Sequence, residues 1–135
     1  MPGPNVGLTK EERLYRKKEI DDLFSKGTSF VFYPLRVVWR VQVCEDRPNS
    51  VAMLVSVPKR KIKKAVQRNR IKRLVREAFR LNKLLLTDSV NDYPACCHIA
   101  FIWLSDKPGS FEKINGCVRE SLTRIKQALA DIRPV

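Results

Sequence analysis

The chain is expected to fold as one α+β domain, a sandwich in which a small central mixed sheet carries helices in the order α-β-β-α-β-α. Three observations predict this. Its 135 residues suffice for one hydrophobic core but not for two. An apolar share of 44% with 30% charged residues is globular in type. Along the chain, apolar spacing switches repeatedly between the period of a helix and the pattern of a strand.

Each element has its own justification. Residues 1–8, rich in Pro and Gly, read as a flexible tail before a domain at 9–132. Thr9-Lys10-Glu11-Glu12 has the form of a capping box. A helix is expected over Lys17 to Lys26, with Ile20, Leu23 and Phe24 on one side and Gly27 at the stop position. Pro34 precedes a strand, Leu35 to Cys44, in which Arg36, Arg40 and Gln42 alternate with Val37, Trp39, Val41 and Val43. Turn residues from Glu45 to Ser50 lead into Val51–Val57, which is apolar on both faces except at Ser56 and is expected at the centre of the sheet.

Lys59 to Lys64 reads as a basic loop and Ala65 to Asn82 as a helix. Another loop spans Asp88 to Pro94, and Cys97 to Leu104 is a continuous apolar strand. Ser110 can cap a last helix running to about Ala130, with Ile114, Cys117, Val118, Leu122, Ile125 and Leu129 as its buried stripe.

Composition narrows the function. No stretch approaches the roughly 18 apolar residues of a membrane span, and the start lacks the apolar run of a secretory signal, so a cytoplasmic protein is expected. Cys44, Cys96, Cys97 and Cys117, with the lone His98, have no metal-ligand spacing. No metal site is expected, and the thiols read as buried and reduced. Scattered carboxylates and one histidine offer no acid–base pair, so no catalytic residue is assigned to this chain.

The charge is concentrated. Of a net +13, the window Lys59 to Lys83 contributes +11, from twelve Lys/Arg against Glu77 alone. At about 100° per residue, Ile71, Leu74, Val75, Ala78 and Leu81 share one side of the helix, which anchors it. Asn69, Lys72, Arg73, Arg76 and Arg80 share the other, with Arg68 and Arg70 at its edges. Solvated helix faces usually mix signs to gain i,i+4 pairs, whereas Lys72–Arg76 and Arg76–Arg80 repel. A polyanion partner explains a face that accepts this repulsion. Arginine forks suit phosphates and unpaired bases, and the Asn69 amide suits a 2′-hydroxyl or base edge. A DNA-binding basic zipper would continue into heptads, but only Leu84-Leu85-Leu86 and a turn follow. A structural RNA-binding protein of ribosomal type is the alternative.

The run from Ala65 to Arg80, with Arg68-Asn69-Arg70, Lys72-Arg73 and Arg76-Glu77-Ala78-Phe79-Arg80, closely resembles the signature of the bacterial ribonuclease P protein subunit. Val55-Ser56 with Pro58-Lys59-Arg60-Lys61, and Arg13-Leu14, Ile20, Leu23-Phe24 and Lys26-Gly27, resemble it too. The resemblance implies a partner RNA that cuts the 5′ leader from precursor tRNA with bound magnesium ions. It implies that Arg68, Asn69, Arg70, Lys72, Arg73, Arg76 and Arg80, with Lys59, Arg60, Lys63 and Lys64, dock on that catalytic RNA. A leader-binding cleft between the first helix and the sheet would take Arg13, Lys17, Ile20, Phe24 and Trp39. It also implies a helix crossing between parallel strands with left-handed topology, against the usual bias. Trp39, in a strand with Arg36 and Arg40, suits a stacking platform flanked by cations; a core tryptophan is the other reading.

Overall fold

The computed structural model describes residues 12–43, 50–86 and 95–132. In chain order these form α1 (Lys17–Lys26), β1 (Thr28–Phe32), β2 (Leu35–Val43), β3 (Ser50–Ser56), α2 (Ala65–Asn82), β4 (Ala95–Trp103) and α3 (Phe111–Ile132). The expected tail, the capping box before Glu12, the turn before Ser50 and the loop at 88–94 lie outside the described residues. Ser110 takes up its capping role, its Oγ accepting the Lys113 N–H at 3.3 Å.

The sheet order is β1-β2-β4-β3. β2 pairs antiparallel with both β1 and β4, whereas β3 and β4 are parallel and joined through α2. Two expectations need correction. A strand, β1, occupies residues that the apolar pattern leaves unassigned before Pro34. It is five residues long and joined to β2 through Tyr33-Pro34, whose peptide bond is cis. So short a strand gives periodicity too few positions to register.

The second correction concerns β3, which is an edge strand rather than the centre. Its apolar character on both faces has another cause. Val51 and Met53 face one cluster and Ala52 the other, so both faces are covered. Its outer edge is partly closed as well, since Leu14 N–H donates to the Met53 carbonyl at 2.9 Å.

Pairing register divides the sheet into two unequal faces. Phe30, Leu35, Val37, Trp39, Val51, Met53, Cys97, Ile99, Phe101 and Trp103 face α2 and α3, meeting Ile71, Val75, Phe79, Ile114, Val118, Leu122 and Ile125. Phe79 and Phe101 meet edge to face, with ring centroids 6.5 Å apart. The other face has only α1 and Leu14 above it, in a small cluster of Leu14, Leu23, Val38, Ala52 and Ala100.

The thiols need one correction. Cys97 and Cys117 are free, but Cys96 is disulfide-bonded. Antiparallel pairing lays the end of β2 beside the start of β4, with Gln42 opposite Cys96. Contacts between residues so far apart in sequence do not show in cysteine spacing.

Candidate nucleic-acid interface

The cationic helix is held from beneath. Ile71, Val75, Ala78 and Phe79 are its buried residues. Leu81, expected on the anchoring side, is 53% exposed, and Phe79 takes its place in the core. The buried arc is therefore turned by roughly 50° at 100° per residue. The turn follows from volume, because the Phe79 ring fills the space against Phe101. It also draws Lys72, Arg76 and Arg80 to half-burial at the helix flank, while Asn69, Arg70 and Arg73 stay exposed.

The loop before the helix is built as rigidly. The Pro58 carbonyl accepts the N–H groups of Lys61 (3.0 Å) and Ile62 (3.1 Å), and Ile62 plugs into the core. Arg68 Nη1 donates to the carbonyls of Ile62 (2.9 Å) and Lys63 (2.8 Å), tying the loop to the first turn of α2. Arg68, expected on RNA, thus has a positioning task as well. Lys59, Arg60, Lys63 and Lys64 are left exposed beside the helix start. No acidic residue stands in the first turn of α2, so the dipole there adds to the cations instead of being offset.

Acids reach this surface at two places only among the described residues. Glu77 pairs with Arg80, and Glu12 pairs with Lys83. Lys72, Arg73 and Arg76 have no carboxylate partner among the described residues. Burial, and then the charge of Arg13, hold the Arg76 guanidinium below its ordinary range. That repulsion locates Arg13, expected in the cleft, beside α2, where it forms a bridge with Met53 at the edge of β3. Like charges pressed together at a half-buried site are stabilised by an incoming anion.

The α1 side carries a different surface. Leu23 is fully buried, Ile20 packs partly against the small cluster, and Phe24, one turn further on, is 46% exposed. Arg40 and Lys26 both reach Asp22, at 3.8 and 3.9 Å, and the Arg40 contact pins α1 to β2. Lys17 is exposed at the helix start.

Trp39 does not join this cleft. It is 6% exposed and belongs to the core under α2 and α3, on the opposite face. Strand alternation explains it, since Arg36 and Arg40 face one way and Trp39 the other. Val38 stands beneath α1 instead. Beyond α1 a cross-strand row stays open: Val31, Arg36, Ile102 and Ser56, paired in that order across the sheet. Val31 and Arg36 are exposed, Ile102 and Ser56 half-buried. Sequence reasoning sets Arg36 beside Trp39 as a flanking cation, whereas the structure puts it in this open row with Ile102, which sequence reasoning leaves out.

Among the described residues no group of His, Cys, Asp or Glu could hold a metal ion, and no helix is long and apolar enough to cross a membrane. The description of the family model matching residues 8–126 is Ribonuclease P. The chain belongs to the ribonuclease P protein family. The ribonuclease P protein component of Porphyromonas gingivalis strain W83 is 48% identical over 122 residues, covering 90% of this chain and 88% of the relative. That of Clostridium botulinum strain Loch Maree is 38% identical over 73 residues, 54% of this chain and 61% of the relative. The fold matches the ribonuclease P protein of Thermotoga maritima with a TM-score of 0.65 at 24% identity, covering 84% and 96% of the two chains. A Staphylococcus aureus ribonuclease P protein mutant matches with a TM-score of 0.66 at 22% identity, covering 87% and 90%. The chain is the protein subunit of an endoribonuclease that works as a ribonucleoprotein in tRNA processing, with ribonuclease P RNA as its partner.

Proposed function

We propose that this subunit assists the catalytic RNA in removing the 5′ leader of precursor tRNA by holding both RNAs. Asn69, Arg70, Lys72, Arg73 and Arg76, with Lys59, Arg60, Lys63 and Lys64, grip phosphates of the catalytic RNA. Arg68 supports the loop that presents the lysines. The leader lies between α1 and the open row of the sheet, with Phe24 and Ile20 on one wall and Arg36 and Ile102 on the floor. Magnesium ions belong with the catalytic RNA and supply the chemistry there. This chain orients strands and neutralises charge, in the cytoplasm.

One observation carries the reading: Lys72, Arg73 and Arg76 stand without carboxylate partners among the described residues, on a helix whose opposite side is locked into the core by Ile71, Val75 and Phe79. An 18-residue helix is about 27 Å long, enough to follow several successive phosphates. The test is reconstitution with ribonuclease P RNA and an assay of leader removal. The protein alone should cleave nothing, and should raise cleavage by the RNA at limiting magnesium. Cleavage by protein alone, or none gained on mixing, would sink the proposal.

A further inference from the structure

The end of α2 carries an apolar patch that the core does not use. Leu81 and Leu84, three residues apart, are 53% and 67% exposed. Leu86 is the leucine that enters the core here, and Leu85 is half-buried against it. A single exposed apolar residue is ordinary, but a contiguous pair with a polar rim marks a binding surface. These leucines line a groove of about 350 Å³ between the end of α2 and α3, together with Asn82, Leu85, Arg119 and Lys126.

The rim is cationic. Among the described residues no acid lines the groove, and neither Arg119 nor Lys126 has a carboxylate partner. Both are exposed. They stand seven residues apart on α3, two turns or about 10 Å along the helix.

Asn82 adds a fixed acceptor. Its Nδ2 donates to the Ala78 carbonyl and to Asn115 Oδ1, both at 2.8 Å, which sets the plane of the amide. Among the described residues Trp103 Nε1 is the one buried side-chain polar atom without a hydrogen bond. Asn82 Oδ1, which accepts none, therefore keeps contact with solvent.

An apolar floor, an accessible acceptor and two cations match an unpaired nucleobase with the phosphates on either side of it. Position favours RNA as the occupant. Leu81 lies eleven residues after Arg70, about three turns on and about 20° round the helix. Glu77, between them, is paired with Arg80. A strand following Arg70 and Arg73 along α2 thus runs into the groove. A second copy of the chain is disfavoured, because a two-fold contact would set Arg119 and Lys126 against the same cations.

We infer that this groove takes one unpaired base of ribonuclease P RNA, laid on Leu81 and Leu84, its N–H edge toward Asn82 and its flanking phosphates at Arg119 and Lys126. The inference rests on the reading that α2 grips this RNA, and adds to that grip a contact through α3.

The test uses the full chain and ribonuclease P RNA, with affinity measured against salt and unpaired bases probed chemically. Leu81→Gln/Leu84→Gln should weaken binding at least about fivefold and leave the salt slope unchanged. Arg119→Ala/Lys126→Ala should lower that slope by about two. All four positions are exposed, so both variants keep the fold. One unpaired base protected by the native chain should regain reactivity with either variant, while the other protections stay. Native affinity, slope and protections in both variants would overturn this inference alone and leave the groove to a protein segment. A native chain that does not bind the RNA would overturn the reading of α2 as well.

Discussion

The two faces of the sheet have opposite fates. The face under α2 and α3 is sealed by large side chains, and Phe101, Trp103, Ile99 and Phe79 are all at or near zero exposure. The face under α1 is sealed only at its middle, by Leu23 and Val38, and leaves Arg36 and Val31 in solvent. A ten-residue helix cannot cover four strands. One face thus holds the larger core, and the other has room for a ligand. The cationic stripe gains its rigidity from the sealed face although it points away from it.

Substitutions should separate the faces sharply. The largest effect is expected for Phe79→Ala, with a loss of about 3–5 kcal/mol in urea denaturation from a cavity in a closed core. Trp39→Ala should behave alike and should weaken leader-bearing precursor and mature tRNA equally. A selective loss of leader binding by Trp39→Ala would return that residue to the cleft. Next comes the pH response of the sealed face. Burial pushes the Cys97 thiol up to about 12. The folded state favours its protonated form, so this contribution is complete below the ordinary thiol range. It is lost as pH rises through that range toward about 12. Cys97→Ala should flatten this alkaline fall in stability; an unaltered curve would mean that other groups cause it.

On the open face the effects are smaller in stability and show in binding. Phe24→Ala should cost less than about 1 kcal/mol of stability, yet about 1–3 kcal/mol of affinity for leader-bearing precursor if the ring stacks a base. Mature tRNA is the control, and an equal change on both substrates removes Phe24 from the leader site. The smallest effect is expected for Asp22→Asn, which loosens α1 from Arg40. A partly exposed pair is worth about 0–1 kcal/mol, and the difference should fade in high salt. A large, salt-independent loss would show that α1 is held by more than this contact.

The sequence was most legible where one residue pattern decides the matter alone. The bounds of α1 and α2 follow from helical spacing plus a stop signal, and the structure places them at Lys17–Lys26 and Ala65–Asn82 as expected. The stripe of α3 is buried as expected, with Cys117 only half so. Legibility fell where tertiary partners decide. Leu81 and Phe79 exchange places because the helix turns to fit an aromatic contact with Phe101, which a helical wheel cannot register. β3 reads as central because two helical layers and the Leu14 segment cover it. Arg13 moves to the α2 surface because of the strand edge on which it sits. The cations of the candidate site were visible as a count and a spacing. That Arg68 braces the loop was not, since its acceptors are backbone carbonyls of residues 62 and 63.

The central claim is that the arginines of α2 that face no carboxylate among the described residues neutralise phosphates of ribonuclease P RNA. The most direct measurement is the salt dependence of RNA affinity for the native chain and for Arg73→Ala/Arg76→Ala. Removing one phosphate-binding cation should lower the slope of log affinity against log salt by about one. The double variant should therefore bind more weakly, with a slope smaller by about two. A slope unchanged from the native chain would contradict the claim.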